Sequence, residues 1–504
     1  MQRLEHPRQA AEWLRGRARG DLCTDSRQLA PGDAFLAWPG AATDARRFVA
    51  DVLGRGASAC LVEQQGVEAY DWGGDPRIAV YPGLKAASGP VAAAWYGEPS
   101  QALDVLAVTG TNGKTSTVWW LAQALSKIEH PRLIPCGMVG TLGIGRVSGP
   151  DPADADLLPS GLTTPDPVLL QRSLRHFVQQ GLRACAMEAS SIGIAEDRLA
   201  GTRIHTALFT NLTQDHLDYH GTMTAYWETK IRLFGWQGLK AGVVNVDDRR
   251  GAALASGWPH PQVDLWTVSA RRPARLQATD LVHHSAGLAF TVCEGEQREP
   301  LQTATLGSYN VNNLLGVIAG LRSLGVSLAD AVRACAGLSA VPGRLQQVSA
   351  PGRPLAVIDY AHTPDALAKA LQALRPLVME RRGRLWCVFG CGGDRDPGKR
   401  PLMGQAAGSH ADTVLVTNDN PRSEPPEVIL VQILSGLKGH PDCRIEPDRA
   451  TAIAQALRYA DADDVVLIAG KGHETYQEVA GERRPFSDLQ QVRLALQPTE
   501  RVSA

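Results

Sequence analysis

The chain has 504 residues, and at about 150 residues per domain this length predicts about three domains and excludes a single small one. The 51 Lys and Arg residues nearly balance the 52 Asp and Glu residues, so the formal net charge of -1 excludes a broad basic surface for nucleic acid or anionic lipid. Hydrophobic residues make up 44% of the chain and charged residues 20%, which is typical of folded domains. An anionic ligand must therefore be bound at a local site.

The N-terminal segment and the cysteines indicate a protein of the cytoplasm. Charged side chains recur throughout residues 1–20, which leaves no room for the apolar core of a signal peptide. No apolar run approaches the ~20 residues that a membrane span requires. The nine cysteines form no Cys-x-x-Cys pair, which indicates reduced thiols in protein cores. We expect a cytoplasmic protein without membrane insertion.

The first part of the chain, residues 1–98, is predicted to form a small mixed α/β domain. Short apolar runs at 34–38, 59–62 and 78–80 are typical of buried strands, and helix-like stretches separate them. The segment Tyr-Gly-Glu-Pro-Ser at residues 96–100 is rich in residues that break helices and strands. A domain boundary near residue 100 follows.

The second part, residues 99–340, is predicted to form a parallel sheet with helices. An apolar strand at 103–108 leads into a glycine-containing loop at 110–116, and an apolar helical pattern follows. Further strands, at 184–187, 206–209 and 242–246, alternate with helical stretches, which predicts a largely parallel sheet. The alternating pattern within residues 262–305 predicts a few antiparallel strands at one edge.

The third part, residues 341–504, repeats strand and then helix four times and is predicted to be a Rossmann-like, doubly wound domain. The strands are predicted at 355–358, 385–389, 413–416 and 465–468. Polar loops follow them at 359–362, 392–395, 419–422 and 470–474. Because ligands bind at the carboxyl ends of parallel strands, all four loops are expected to face one crevice. The predicted fold is therefore α/β, with three domains.

The loop Gly-Thr-Asn-Gly-Lys-Thr-Ser is the strongest chemical signal in the chain. Its glycines free successive backbone N–H groups to cradle phosphates at a helix N-terminus, while Lys114 neutralises the β and γ phosphates and Thr115 reaches Mg²⁺. Val108 stands where the usual pattern has its first glycine, so the loop is a variant. An Asn-Lys-x-Asp sequence is absent, which favours ATP over GTP. The predicted ATP-binding residues of the loop are Gly110, Thr111, Asn112, Gly113, Lys114, Thr115 and Ser116.

Glu188 and His216 each follow a predicted strand and are expected near this loop. A carboxylate and an imidazole in that place suit a second Mg²⁺. Taken alone, residues 215–220 fit a helix cap or a zinc pair equally well. Their position relative to the phosphate loop favours the nucleotide metal.

The loop resembles that of the Mur ligases when it is taken together with Met-Glu-Ala-Ser-Ser at 187–191 and Asn-Leu-Thr-Gln-Asp-His-Leu-Asp at 211–218. These enzymes form amide bonds at the expense of ATP during peptidoglycan precursor synthesis, and the resemblance extends over all three predicted domains. It implies ATP and two Mg²⁺ ions, with Lys114, Glu188, His216 and Lys230 as catalytic residues and Asn310, Asn313 and Arg344 as further nucleotide contacts. It also implies that Thr115, Glu188, His216 and a carbamylated Lys230 hold the metal, although Lys230 without the family would be an ordinary surface lysine.

The resemblance further implies a site for a uridine-linked sugar peptide. The corresponding residues are Thr24, Ser26, Thr163, Thr164, Ser190, Glu196 and Arg198. Glu196 stands where the family usually has glutamine, and a carboxylate beside an anionic substrate is unexpected.

The sequence Asp-Asn-Pro-Arg at 419–422 resembles the signature of the Mur ligases that add meso-diaminopimelate. This amino acid differs from lysine by a distal carboxylate, which an Arg side chain can hold through two hydrogen bonds. The implied binding residues are Arg395, Asp419, Asn420, Pro421, Arg422, Gly470 and Glu474.

The implied activity is the ATP-dependent addition of meso-diaminopimelate to a UDP-N-acetylmuramoyl dipeptide through an acyl phosphate. The expected partners are these small molecules, with no nucleic acid, and the expected state is a monomer. A lysine-adding Mur ligase and an enzyme similar to folylpolyglutamate synthetase remain alternatives, which the 419–422 sequence disfavours. A nucleotide-dependent switch that forms no amide is the alternative from another class.

Overall fold

The computed structural model describes residues 1–40, 43–128, 134–147, 155–284 and 287–497. Three sheets of 5, 11 and 6 strands follow one another along the chain, and a two-stranded hairpin lies near the C-terminus. The α/β class and the three-domain architecture predicted from the sequence are confirmed. In the described ranges, no helix combines the length and the apolar character that crossing a membrane would require.

The N-terminal sheet is parallel and has the strand order β1-β5-β4-β3-β2. Its strands are β1 (Gln2–Arg3), β2 (Leu22–Cys23), β3 (Ala34–Ala37), β4 (Ala59–Glu63) and β5 (Ile78–Tyr81). Its helices are α1 (Pro7–Arg15), α2 (Val49–Gly54) and α3 (Leu84–Trp95). The three central strands are buried throughout, as their continuous apolar runs predict.

The central sheet has the order β16-β15-β14-β13-β12-β11-β6-β10-β7-β8-β9. Its strands are β6 (Asp104–Thr109), β7 (Cys136–Gly140), β8 (Gly143–Arg146), β9 (Asp156–Leu158), β10 (Ala184–Glu188), β11 (Thr206–Phe209), β12 (Ala241–Asn245), β13 (Asp264–Ser269), β14 (Leu276–His284), β15 (Gly287–Glu294) and β16 (Gln297–Thr303). The helices are α4 (Lys114–Ser126), α5 (Pro167–Gln179), α6 (Ser191–Ala195), α7 (Leu217–His220), α8 (Met223–Ile231), α9 (Arg249–Ser256), α10 (Tyr309–Ser323) and α11 (Leu328–Ala336).

Antiparallel strands lie at both edges of the central sheet. The predicted set is present as β14, β15 and β16. A second set, which the sequence pattern did not indicate, consists of β8 and β9 beyond β7. Glycine at four positions of β7 and β8 interrupts the apolar pattern there, because glycine contributes no side chain to either face of a strand.

The C-terminal sheet has the order β17-β18-β22-β19-β20-β21 and is parallel except for β17. The strands are β17 (Gln346–Val348), β18 (Leu355–Asp359), β19 (Leu385–Phe389), β20 (Thr413–Val416), β21 (Cys443–Ile445) and β22 (Val465–Ala469), and the hairpin is β23 (Tyr476–Val479) with β24 (Glu482–Pro485). The helices are α12 (Pro364–Arg381), α13 (Lys399–His410), α14 (Pro426–Leu434), α15 (Arg449–Tyr459) and α16 (Asp488–Leu496). The loops after β18, β19, β20 and β22 share one end of this sheet, as predicted.

Candidate active site

The phosphate-loop candidate connects the end of β6 to the first turn of α4. Gly110 and Gly113 have φ angles of 143° and 87°, which L-residues with a side chain rarely adopt. A Cβ atom on Gly110 would also collide with the hydroxyl of Thr210 after β11. Both glycines are therefore required by the backbone path of the loop.

Asn211, also after β11, fixes the shape of the loop. Its carbonyl oxygen accepts a hydrogen bond from the N–H of Thr111 (2.8 Å), and its Oδ1 accepts one from the N–H of Asn112 (3.0 Å). Thr115 and Ser116 are buried in the first turn of α4. A rigid loop at the N-terminus of a buried helix has the geometry of an anion-binding site.

Two lysines converge on one carbonyl group of this loop. Lys114 Nζ donates to the carbonyl oxygens of Gly110 (2.9 Å) and Thr111 (2.8 Å), and Lys230 Nζ also donates to that of Gly110 (2.8 Å). Lys230 projects from α8 above the ring of Tyr226 and is 1% exposed. Burial, and then the charge of Lys114, lower the pKa of Lys230 well below its ordinary value.

Glu188 ends β10 beside the loop and is 1% exposed. Its Oε2 accepts a hydrogen bond from Thr115 Oγ1 (3.1 Å), and its Oε1 accepts one from the N–H of Thr141 (2.8 Å). Arg344, from the segment before β17, donates to the same Thr115 hydroxyl (3.4 Å). A carboxylate and a hydroxyl at this point are ligands that suit Mg²⁺.

The described residues contain no ready-made cluster of three or more His, Cys, Asp and Glu side chains around a metal position. Mg²⁺ usually keeps several waters and binds through one or two carboxylates together with substrate phosphates. The Thr115–Glu188 pair therefore fits a metal that arrives with a nucleotide.

His216 caps the N-terminal end of α7 in a left-handed conformation, with φ of 53°. Its Nε2 lies 3.5 Å from Asp215 Oδ2, and its ring meets that of Tyr226 edge-on at 6.1 Å between centroids. Both His216 and Asp215 line the same cavity as the phosphate loop.

This cavity has a volume of about 400 Å³, within the range of small-molecule sites. Asn310 and Asn313 of α10 line it, and Asn313 Nδ2 donates to Asn310 Oδ1 (2.8 Å). The C-terminal part of the chain contributes Arg344, Tyr360, Ala361, His362 and Lys369. The cavity is therefore shared between the central and C-terminal sheets.

The residues expected at the sugar peptide form a second polar group beside Glu188. Thr164 Oγ1 donates to the carbonyl of Glu188 (2.8 Å) and lies 3.0 Å from Ser190 Oγ. Arg198 Nη1 donates to the carbonyl of Thr164 (3.0 Å), and Thr163 lines the cavity. These four residues are thus brought together.

Thr24 and Ser26 lie on the N-terminal sheet's side of this region. Thr24 Oγ1 donates to Asp166 Oδ1 (3.3 Å) at the start of α5, which ties the N-terminal and central sheets together. The carbonyl of Ser26 accepts a hydrogen bond from Arg55 Nη1 (2.7 Å). Glu196 contacts Lys85 of α3 and Tyr219 of α7 through its carboxylate.

The loops after β20 and β22 form a compact hydrogen-bonded group. Asn420 Nδ2 donates to Glu474 Oε2 (2.9 Å), and Lys471 Nζ donates to both Asn420 Oδ1 (3.0 Å) and Glu474 Oε2 (2.8 Å). Gly470 has φ of 116°, and a Cβ atom there would collide with Asp419 Oδ2. The close approach of Asp419 therefore requires glycine at this position.

Arg422 has φ of 51°, and its Nη1 donates to the carbonyl of Gly393 after β19 (2.7 Å). Its Nε lies 3.9 Å from Glu478 Oε2 of β23. The carbonyl of Pro421 packs so closely on Gly393 that a Cβ atom there would collide with it. Arg395 is exposed, and its Nη1 lies 3.5 Å from the carbonyl of Asp394.

In the described part of the chain, the loops after β19, β20 and β22 do not line the nucleotide cavity. Tyr360 connects the two regions. Its ring centroid lies 5.2 Å from that of His473, and the guanidinium group of Arg344 lies over the same ring at 4.4 Å.

Comparison with known proteins agrees with this geometry. Residues 108–321 match the Mur ligase middle domain, and residues 343–472 match the Mur ligase, glutamate ligase domain. A UDP-N-acetylmuramoyl-L-alanyl-D-glutamate--2,6-diaminopimelate ligase from Acidovorax sp. (strain JS42) is 60% identical over 97% of this chain and 96% of its own length. The chain belongs to the Mur ligase family.

Two further relatives of this Mur ligase illustrate lower identities. A protein of the same name from Pseudomonas aeruginosa (strain PAO1 among its designations) is 44% identical, over 94% of each chain. A solved structure of a UDP-N-acetylmuramoyl-L-alanyl-D-glutamate--2,6-diaminopimelate ligase is 36% identical, with a TM-score of 0.64 and 94% coverage of both chains.

Several residues of the Mur ligase site were missed in the sequence. Thr141 acts through its backbone N–H, which leaves no distinctive motif, whereas Asn211 stands in the 211–218 segment but was given no role of its own there. Tyr226, whose hydroxyl lies 3.2 Å from Thr111 Oγ1, stands one helical turn before Lys230. This spacing places both side chains on one face of α8 and is the signal that could have identified the tyrosine.

Proposed function

We propose that this chain is an ATP-dependent ligase that joins meso-diaminopimelate to UDP-N-acetylmuramoyl-L-alanyl-D-glutamate. The observation that carries the proposal is 60% identity, over 97% of the chain, to a relative named for this reaction. The cavity that joins the phosphate loop to the C-terminal sheet supports a reaction between a nucleotide and groups from both sides.

In this proposal the loop N–H groups and Lys114 bind the β and γ phosphates of ATP, and Arg344 adds positive charge from the C-terminal side. Asn310 and Asn313, which line the same cavity, contact the adenine. Because phosphoryl transfer needs mainly positioning and neutralisation of charge, these groups account for most of the protein's contribution.

Two Mg²⁺ ions would be held by Thr115, Glu188, His216 and carbamylated Lys230, and would supply further neutralisation of phosphate charge. The neutral amine is the form that reacts with CO₂, and burial beside Lys114 favours that form of Lys230. The resulting carbamate is an anion next to the Lys114 ammonium. Carbamylation would therefore place an anion where a cationic Lys230 would be repelled by Lys114, which shares the same carbonyl acceptor.

The reaction proceeds in two steps. An oxygen of the D-glutamate γ-carboxylate attacks the γ-phosphorus of ATP, ADP leaves, and an acyl phosphate forms. The amino nitrogen of meso-diaminopimelate then attacks the acyl carbon, phosphate leaves with the C–O bond electrons, and the nitrogen loses a proton to give the amide.

In this proposal, a different part of the chain binds each substrate. Thr24 and Ser26 contact the uridine diphosphate, whereas Thr163, Thr164, Ser190 and Arg198 contact the sugar peptide. The forked guanidinium groups of Arg422 and Arg395 bind the distal carboxylate of meso-diaminopimelate, and Asp419, the Gly470 carbonyl and Glu474 receive its ammonium. Asn420 and Pro421 hold the loop that presents them.

We further propose domain boundaries at 98/99 and 340/341, a monomer with one active site, and a cytoplasmic location, which the use of ATP supports.

To test the function, the purified protein is incubated with the UDP dipeptide, ATP, Mg²⁺ and meso-diaminopimelate. Mass spectrometry should detect a UDP tripeptide, formed with one ADP per molecule. Release of ADP without this product would contradict the proposal.

A further inference from the structure

Both carboxylate oxygens of Glu196 have a partner, and one of these partners, Lys85, belongs to the N-terminal part of the chain. Lys85 Nζ of α3 lies 2.6 Å from Glu196 Oε2, and the hydroxyl of Tyr219 donates to Oε1. The side chains of Lys85 and Glu196 are 43% and 26% exposed. The ion pair is therefore partly shielded and leaves no carboxylate oxygen of Glu196 without a partner.

The backbone segments that carry Lys85 and Glu196 are in close contact with each other. Gly89 lies one helical turn after Lys85 on the same face of α3, and a Cβ atom there would collide with the carbonyl of Ala200. Gly201 likewise lies against the carbonyl of Gly89. The segment from Glu196 to Gly201 is thus seated directly on α3, which holds Lys85 opposite Glu196.

The negative charge of Glu196 lies close in the chain to residues that we propose contact the sugar peptide. Arg198, two residues on, donates to the carbonyl of Thr164 in the polar group expected at the sugar peptide. The hydrogen bond from Lys85, and then that from Tyr219, lower the pKa of Glu196, so the side chain is ionised at neutral pH. A substrate with a diphosphate and carboxylates would be repelled by an unpaired carboxylate in this place.

We infer that Lys85 is a positioning residue for the UDP dipeptide: it neutralises Glu196 and keeps its carboxylate turned away from the anionic substrate. This inference rests on the proposed function. It also gives Glu196 a structural role in place of the substrate contact expected from the family resemblance. The pair is interdomain, so Lys85 further fixes the N-terminal sheet against the segment that precedes Arg198.

The test is a double-mutant cycle with the variants Lys85→Met, Glu196→Gln and Lys85→Met/Glu196→Gln. Lys85→Met should raise the KM for the UDP dipeptide about tenfold and leave kcat within about twofold, because it unmasks a negative charge near the substrate. Glu196→Gln, which removes the charge, should bind the dipeptide about as well as wild type, and the double variant should recover to within about twofold. Lys85→Arg keeps the charge and should resemble wild type, whereas the exposed Lys438→Met serves as a matched control.

Calorimetric titration of each variant with the UDP dipeptide, without ATP or amino acid, gives the same comparison independently of turnover. The inference is wrong if Lys85→Met binds normally, if the double variant is as impaired as Lys85→Met, or if Glu196→Gln alone weakens binding. Loss of binding in Lys85→Arg would also contradict it. Failure of wild type to form the UDP tripeptide would instead contradict the proposed function, so the two failures are distinguishable.

Discussion

The carbonyl oxygen of Gly110 accepts hydrogen bonds from both Lys114 and Lys230, and this arrangement determines the chemistry of Lys230. Two ammonium groups on one acceptor repel each other, and Lys230 is also removed from water. An uncharged or an anionic Lys230 is therefore favoured over a cation. The sequence of α8 alone would assign Lys230 to the surface. In the structure, Lys230 is among the largest fully buried side chains of the described residues.

We expect Lys230→Ala to reduce activity by at least about a thousandfold, since the variant cannot form the proposed carbamate that would hold metal. Added acetate or another short carboxylate should partly restore the rate, because the space vacated by the side chain can admit a small anion. Steady-state assays with and without carboxylate measure both effects. Lys240→Ala, on an exposed side chain, is the control. Full activity of Lys230→Ala without added carboxylate would contradict the assignment.

The depressed pKa of Lys230 also predicts how stability depends on pH. The unfolded chain binds a proton at Lys230 up to about its ordinary pKa of 10.5, whereas the folded chain releases it at lower pH. Wild type therefore gains stability relative to Lys230→Met as pH rises from the folded pKa towards 10.5, and the gain ends there. Melting temperatures in CO₂-depleted buffer at pH 7, 8 and 9 should show this trend, and a difference independent of pH would contradict it.

Among the secondary structure elements, the hairpin β23–β24 holds Arg422, which we propose binds the amino-acid substrate. The N–H of Arg422 donates to the carbonyl of Glu478 (3.0 Å), and the carbonyl of Arg422 accepts from the N–H of Ala480 (2.7 Å). These bonds hold Arg422 in its left-handed conformation, which a non-glycine residue adopts at a cost in free energy. The hairpin thereby fixes the direction from which the guanidinium group leaves the backbone.

We expect Arg422→Lys to raise the KM for meso-diaminopimelate by about tenfold or more, because lysine keeps the charge but loses the forked pair of donors. The KM values for ATP and the UDP dipeptide should stay near those of wild type. Arg483→Lys is a matched control, since Arg483 contacts the same Glu478 carboxylate (3.7 Å) from an exposed position. An unchanged KM for meso-diaminopimelate would place its distal carboxylate elsewhere.

Most of the strands were predictable because buried parallel strands have continuous apolar runs, as β4, β19 and β22 do. Strands β8 and β21 were not predictable from the sequence. Glycine interrupts the apolar run in β8, and polar or exposed residues interrupt it in β21. At the site, the phosphate loop has a local sequence motif, and its position between a buried strand and a helix was predictable from that motif. The Lys85–Glu196 pair joins residues far apart in the chain, so it depends on how α3 packs and no local pattern could indicate it.

Across the whole molecule, contacts between the central and C-terminal sheets surround the phosphate loop. Arg344 reaches Thr115, and Asn112 Nδ2 donates to Asp365 Oδ2 of α12 (3.4 Å). Residues from both sheets line the cavity between them, and an acyl phosphate formed there as proposed would be enclosed by protein from two sides. The reaction proposed for this cavity uses groups from both sheets.

We therefore expect phosphate release from ATP and the UDP dipeptide to be slow without the amino acid, at least about tenfold slower than with meso-diaminopimelate. A continuous phosphate assay under both conditions measures the ratio, and Lys114→Met gives the background rate. Comparable rates with and without amino acid would show that water reaches the intermediate freely.

The most direct test of the account compares amide products when meso-diaminopimelate and L-lysine are offered separately, each with ATP and the UDP dipeptide. Mass analysis of the uridine-linked products should show nearly complete conversion with meso-diaminopimelate and little or none with lysine. Equal conversion of lysine, or no amide product with either amino acid, would contradict the assignment of the Arg422 loop and the reaction proposed for the site.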